Sequence, residues 1–157
     1  DADQVVCGYN NTRRNINSLV RDYRGLDGLI ADNDKLICLQ NNQAFGVYNG
    51  MMCQVLSSRD SASQRGVRLV TMKDDLGNTL EDIPVSTRLF GQAKEASSNR
   101  DKGVTVWDYG YAITCHKAQG SEWPKVAVLE ELHESWDPCR WRYTAVTRAS
   151  SSLTYMV

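Results

Sequence analysis

An α/β layer interrupted by a small β-barrel is the fold class that the sequence predicts, on three observations. A strand-then-helix pattern opens the chain, β-rich runs without a helical period fill its middle, and strand–helix alternation returns after Val104. A length of 157 residues suits one ordinary domain or a small domain that carries an insertion, and 41% hydrophobic residues support a real core.

The elements follow in order. Gln4, Val5, Val6 and Cys7 read as a short buried strand. Asn10, Asn11 and Thr12 are good helix-capping residues, and Ile16, Leu19, Val20 and Tyr23 fall at i, i+3, i+4 and i+7, one apolar stripe that Gly25 and Gly28 end. Runs at 35–40, 51–57, 67–72 and 79–85 read as short strands, with turns at Asn49-Gly50 and across 74–78, the second suited to a hairpin. Several short strands of this kind suggest a small barrel. The polar stretch 95–102 reads as a return linker, and 57–64 as a loop of low complexity. The final part predicts a strand to Thr114, a short helix from His116, a strand from Val126 to Leu129, a helix from about Arg140 to Ala149 and a strand from Leu153. Trp123 and Tyr143 are expected to pack against the sheet.

Two segments carry the functional information. Tyr111-Ala112-Ile113-Thr114-Cys115-His116-Lys117-Ala118-Gln119-Gly120-Ser121-Glu122-Trp123 joins a buried strand to a polar turn and a glycine loop. Tyr143-Thr144-Ala145-Val146-Thr147-Arg148-Ala149 places one arginine near the end of a helix. In this order they resemble motifs V and VI of superfamily 1 helicases, and the first is similar to the RecD and phage Dda branch. The resemblance implies the second RecA-like domain of such a motor, of P-loop NTPase type but without the P-loop itself. That domain would span 1–33 and 103–157, with an SH3-like barrel and return linker inserted at 34–102. Gly46-Val47-Tyr48-Asn49-Gly50 resembles the start of that insert, and the strand and helix that open the chain resemble motif IV.

The same resemblance implies roles for single residues. Arg148 would be the catalytic arginine that reaches a γ-phosphate held by another domain; charge that spreads over phosphoryl oxygens is the kind an arginine stabilises. Read without the resemblance, it is an arginine that complements a helix dipole. Gly120 and Glu122 would approach the nucleotide sugar, an ionised carboxylate being an acceptor-only group suited to a ribose hydroxyl; a solvated loop acid is the other reading. Thr114, His116, Lys117 and Ser121 would face the DNA path, where hydroxyl and cationic groups bond phosphates. His116 could equally order the turn, and Lys117 could be solvated. Gln119 would couple nucleotide state to the DNA groove. Arg13 lies in a first helical turn, where the dipole disfavours a cation; it is either an ATP contact or half of a solvated surface pair with Arg14.

The chain lacks the phosphate loop. Nucleotide hydrolysis in this family needs G-x-x-x-x-G-K-[ST], and no glycine here is followed by lysine. Residues 126–131 end an apolar run in Glu130 and Glu131, the form of a magnesium-holding strand, but they come after motif V; the plain reading is a core strand with solvent-facing acids. No metal site is expected, since His116 and His133 cannot complete a cysteine cluster. ATP and Mg2+ would act only in the complete protein, with none bound by this chain alone, which is expected not to hydrolyse ATP. A first residue placed directly ahead of a core strand fits a chain cut from a longer one.

The expected partners are single-stranded DNA and an N-terminal P-loop RecA-like domain of the same protein, with nuclease or replication proteins as further candidates in DNA repair or recombination. The branch resemblance implies 5′ to 3′ translocation. A net charge of −1 argues against a nonspecific duplex binder but suits a motor that touches one strand with a few groups and aromatic rings. Five cysteines without paired spacing, no signal peptide and no membrane-length apolar run point to a soluble, reducing compartment, the cytoplasm of a bacterial or phage-infected cell. Cys7, Cys38, Cys53 and Cys115 lie in or beside apolar runs as small buried hydrophobes. Two rival functions are a noncatalytic single-strand-binding module with the same fold, and the motor subunit of an ATP-dependent exonuclease.

Overall fold

The computed structural model describes residues 2–92 and 103–157, so the linker expected at 95–102 lies largely outside them. The chain forms two compact units, one of Asp1–Val20 with Tyr111–Val157 and one of Arg21–Gly110. The sequence reading set the corresponding boundaries at 33/34 and 102/103. No described helix is long and apolar enough to cross a membrane.

The first unit is an α/β layer. Its strands are β1 (Gln4–Cys7), β7 (Ala112–Thr114), β8 (Trp123–Leu129) and β9 (Ala149–Met156), in the order β7-β1-β8-β9. All three pairings are parallel. Val6, Cys7, Ile113, Val126 and Val128 of β1, β7 and β8 are buried, whereas β9, at the edge of the sheet, is largely exposed. Helix α1 (Asn10–Arg24) follows β1, and α2 (Pro138–Val146) precedes β9.

The apolar stripe expected on α1 is not its buried face. Leu19 is 66% exposed and Tyr23 93% exposed, whereas Asn17 is buried. Asn17 Oδ1 accepts from the Ala112 amide at 2.7 Å and its Nδ2 donates to the Ala112 carbonyl at 3.4 Å, so an amide side chain satisfies backbone groups of β7, an edge strand. On α2 the buried residues are Trp141 and Ala145, four apart; Tyr143 falls off that stripe and is 70% exposed, while Trp123 does pack as expected.

The second unit is β-rich. Strands β2 (Lys35–Cys38), β3 (Met52–Asp60), β4 (Val67–Asp74), β5 (Thr79–Ser86) and β6 (Trp107–Tyr109) form an antiparallel sheet in the order β5-β4-β3-β2-β6. Register shifts between Val55 and Ser57 and between Val70 and Met72 bend the long strands. A parallel bridge between Val85 and Thr105 then joins β5 to the segment ahead of β6, so the sheet closes on itself. Leu36, Val55, Val70, Met72, Val85 and Trp107 fill the interior. The predicted hairpin forms, with Asp74 Oδ1 accepting from the amides of Leu76 and Asn78.

One strand assignment changes. The sequence reading carries a single α/β strand from Val104 to Thr114, but Trp107–Tyr109 pairs with β2 in the barrel and only Ala112–Thr114 joins the parallel layer. The Gly110 amide still donates to the Lys35 carbonyl at 2.8 Å, which holds the chain to the barrel until the step to Tyr111.

Candidate functional site

The segment from Thr114 to Glu122 crosses from the carboxyl end of β7 to the amino end of β8. A short helix is predicted from His116; residues 115–120 instead form a series of turns. The Ala118 amide donates to the carbonyls of both Thr114 and Cys115, the Lys117 amide lies 3.4 Å from Thr114 Oγ1, and the Ser121 amide donates to the Ala118 carbonyl. Eight residues between two parallel strands leave no room for a regular crossover helix. Gly120 adopts φ +85°, a left-handed conformation that costs glycine little, and this turns the chain toward β8. Ala118 is fully buried, while His116, Gln119, Gly120 and Glu122 are exposed and Thr114, Lys117 and Ser121 are half-buried.

Arg148 stands at the other end of this crossing. The Trp123 amide donates to the Arg148 carbonyl at 2.9 Å, which seats the arginine beside the amino end of β8. Its side chain folds over the end of α2. Nε donates to the Thr144 carbonyl at 3.0 Å, Nη1 to the Ser121 carbonyl at 2.7 Å and Nη2 to Thr147 Oγ1 at 2.9 Å. All three acceptors are neutral oxygens, and among the described residues no carboxylate is bonded to the guanidinium. A phosphate oxygen is the kind of acceptor this charge suits, so the residues present fit an anionic nucleotide.

The predicted site residues therefore divide between two edges of the sheet. Ser121, Glu122 and Arg148 gather at the amino ends of β8 and β9. Thr114, His116 and Lys117 lie at the carboxyl end of β7, with Gly120 and Gln119 between. Arg13 sits one turn into α1, after the carboxyl end of β1, with its Nε 3.3 Å from Asn10 Oδ1. Strand β8 has seven residues, a span of roughly 20 Å. Arg13 is thus on the edge opposite Arg148 and Glu122, and the structure does not bring it to them.

Three functional features escape the sequence reading. Glu131 does not face solvent: its Oε2 accepts from the amides of Gly8 and Tyr9 at 2.9 and 3.0 Å, and its Oε1 from Thr12 Oγ1. The first turn of α1 has no acid of its own, so Glu131 supplies the negative charge that the helix amino terminus favours. A Cβ on Gly8 would lie 2.6 Å from the Glu131 carbonyl oxygen, so the close approach demands glycine. Glu130 is equally engaged, accepting from Arg142 Nη2 at 2.6 Å and from the Tyr155 hydroxyl. Arg142 and Tyr155 hold its carboxyl below the ordinary carboxylate range. Both acids after β8 are structural, and no cluster of potential metal ligands occurs among the described residues. The third feature is a group of rings, Tyr9, His116, His133 and Trp136, at the carboxyl edge. An acid two residues past a strand and a glycine ahead of an acid-free helix were the available signals.

Burial disfavours the thiolate at three of the buried cysteines. Burial pushes Cys7 and Cys53 up to about 12 and Cys115 to about 11, the last against the lowering effect of Arg148.

Residues 109–155 match the family model of the UvrD-like helicase C-terminal domain. No curated protein sequence matches the chain. Among solved structures, Bacteroides Pif1 bound to ssDNA is similar at a TM-score of 0.64 and 15% identity, covering 98% of this chain and 40% of that one. The Bacteroides Pif1 helicase in complex with ADP-AlF3 and ssDNA gives 0.65 and 16%, with 98% and 40% covered. Pif1 helicase from Candida albicans gives 0.61 and 14%, with 98% and 45% covered. The chain thus spans about two-fifths of the length of these structures. With its parallel layer, its β-rich insert and a matching motif segment, the chain has the fold of the C-terminal part of a superfamily 1 helicase.

Proposed function

We propose that this chain is the C-terminal motor portion of an ATP-dependent DNA helicase of the RecD or Dda type, working on single-stranded DNA with an N-terminal P-loop domain of the same protein. The observation that carries the reading is the placement of Arg148 against the Ser121 carbonyl, which joins a cation suited to phosphate to the loop that leads back to Thr114, His116 and Lys117. One bonded connection then spans a nucleotide side and a strand side.

In this reading Arg148 places positive charge beside the terminal phosphate and Glu122 accepts a hydrogen bond from the sugar. ATP with Mg2+ supplies the phosphoryl group whose hydrolysis powers the cycle. Gly120 lets the loop turn between the two edges, and Gln119 lies on the path that relays one state to the other. Thr114 and Lys117 hold strand phosphates, with His116 beside them; Ser121, grouped with them on sequence, lies at the opposite edge, where its carbonyl holds Arg148. The barrel, SH3-like by resemblance, guides the strand, and translocation runs 5′ to 3′. Arg13 belongs with the strand side, since it shares the carboxyl edge with His116. Work as the motor of a nuclease assembly is compatible with the same site.

The test is ATPase activity stimulated by single-stranded DNA, measured on the longest native form of the protein beside its Arg148→Ala variant. The motor reading expects activity in the native form and its loss in the variant, with ATP binding largely retained. A native form with no ATPase on any nucleic acid would leave the noncatalytic single-strand-binding module.

A further inference from the structure

Four rings from three loops meet at the carboxyl end of the parallel sheet. Trp136 is their centre: Tyr9 lies 5.5 Å away between ring centroids at a 31° tilt, His116 5.2 Å away at 68°, and His133 5.7 Å away at 45°. Tyr9 follows β1, His116 follows β7, and His133 and Trp136 follow β8, so the group stands over three adjacent strands.

The position within the topology is informative. From β1 the chain returns to the sheet at β7, on one side; from β8 it returns at β9, on the other. The boundary between β1 and β8 is therefore where the strand order reverses. Open parallel sheets hold ligands in the crevice outside the carboxyl ends at such a point. Tyr9 and Trp136 flank it.

These rings are ordered without being core. Tyr9 is 37% exposed, both histidines are exposed and Trp136 is half-buried. The Tyr9 hydroxyl donates to the Leu132 carbonyl at 2.9 Å, and the Ser135 amide donates to His133 Nδ1 at 3.1 Å. Of the acids close by, Glu131 is engaged by the amides ahead of α1 and Asp137 by the Arg140 amide as the cap of α2, while Glu134 stands exposed beside His133. Arg13 and Arg14 near the start of α1, and Lys117 beside His116, bring three cations to the same edge of the sheet. Fixed, half-exposed rings with cations around them match the way unpaired bases are bound, by stacking on aromatic faces while charge tracks the backbone.

We infer that Trp136, buttressed by Tyr9 and His116, is a stacking platform for an unpaired nucleobase of a single strand. The inference rests on the reading that the Thr114–Lys117 turn holds strand phosphates, and extends it to a base-binding residue on a different loop.

Tryptophan emission provides the test, because Trp107, Trp123 and Trp141 are buried and Trp136 is the half-exposed one. The 157-residue chain is titrated with a single-stranded oligothymidylate of about a dozen nucleotides, within the usual site sizes of such proteins. Binding should quench the emission. Trp136→Ala should lose the quench and weaken binding by about five- to a hundredfold, the range found for one stacked base. Trp136→Phe, which keeps a ring and guards against a folding artefact, should retain most of the affinity. The dependence of affinity on salt should be the same in wild type and Trp136→Ala, because a stacked ring releases no counterion. An abasic strand should bind both proteins equally and leave the emission unchanged. Equal affinity of wild type and Trp136→Ala for the oligothymidylate, or full quenching by the abasic strand, would overturn the platform while leaving strand binding in place. No binding of either strand by any of these proteins would overturn both.

Discussion

Arg148 Nη1 and the Ser121 carbonyl oxygen lie 2.7 Å apart, a bond between the end of α2 and the loop that leaves the carboxyl edge of β7. The guanidinium spends its other two nitrogens on Thr144 and Thr147, so it closes the helix end and the loop at once. Movement of Arg148 toward any other acceptor must release Ser121.

This double use predicts how substitutions separate. Arg148→Ala should lower the folding stability of the chain by about 1–2 kcal/mol, since charge-assisted bonds to two carbonyls disappear. Arg148→Lys keeps the cation but cannot reach three acceptors with a planar fork. It should recover little stability and, in the longest native form, fall short of wild-type ATPase by at least about tenfold. Urea unfolding beside steady-state ATPase checks this; wild-type values in the lysine variant would show that the fork geometry is not used.

The cap that Glu131 places on α1 can be tested alone. Glu131→Ala removes the acceptor for the Gly8 and Tyr9 amides and for Thr12, and should cost about 1–2 kcal/mol, as loss of a helix cap does. Glu131→Gln should cost less, because one oxygen remains to accept. Hydrogen exchange at Gly8 and Tyr9 should quicken in the alanine variant first. Unchanged exchange at both amides would mean that the carboxylate does not hold them in solution.

Much of the layer and of the barrel was legible because each rests on local signals. Short β-rich runs between turn signals mark β3, β4 and β5, Asp74 to Asn78 has the chemistry of a turn, and the Tyr111–Trp123 pattern is specific. What was not legible depends on long-range bonds. Asn17 pairs with a strand 95 residues away, so no helical periodicity could show that it, and not Leu19, faces inward. Glu131 meets Gly8 across 123 residues, which a sequence pattern reads only as an acid at a strand end. Trp107–Tyr109 is apolar enough for either sheet, and pairing with β2 decides between them. At the candidate site the residue types were readable, but their division between two edges of the sheet followed only from strand order.

Acid stability should depend on Glu130. Arg142 and Tyr155 hold its carboxyl below the ordinary range in the folded state. A group whose folded value is lowered contributes stability that is fully present above the unfolded value, about 4.3 for glutamate, and is lost as pH falls through the lowered one. Wild type should therefore exceed Glu130→Gln in stability at neutral pH, and the gap should close as the Glu130 carboxyl becomes neutral in the folded and the unfolded chain. Asp74, held low by Asn78, and Asp82, held low by Arg59, leave part of the acid dependence in place. Urea midpoints followed from neutrality down to about pH 3 read the gap directly, the lower end lying below the unfolded value. A gap that widens on acidification would assign the loss to other groups.

Thiol chemistry should single out one of five cysteines. Cys7, Cys38, Cys53 and Cys115 are buried and Cys139 is exposed on the first turn of α2. The thiolate is the reactive form, and a thiol pushed to about 12, as Cys7 and Cys53 are, is ionised at pH 8 to only on the order of one part in ten thousand. Brief treatment of the folded chain with iodoacetamide should give a single adduct at Cys139, and treatment after unfolding in denaturant should give five. Cys7 and Cys115 make this informative about the site, because Cys7 ends β1 and Cys115 opens the turn that leads to His116 and Lys117. The Cys115 amide is bonded to the Cys7 carbonyl at 2.8 Å, so either thiol can be modified only if that bonded edge opens. Early labelling of Cys115 in the intact chain would show the turn to be open in solution, and slower labelling with a saturating single strand present would place the strand against it.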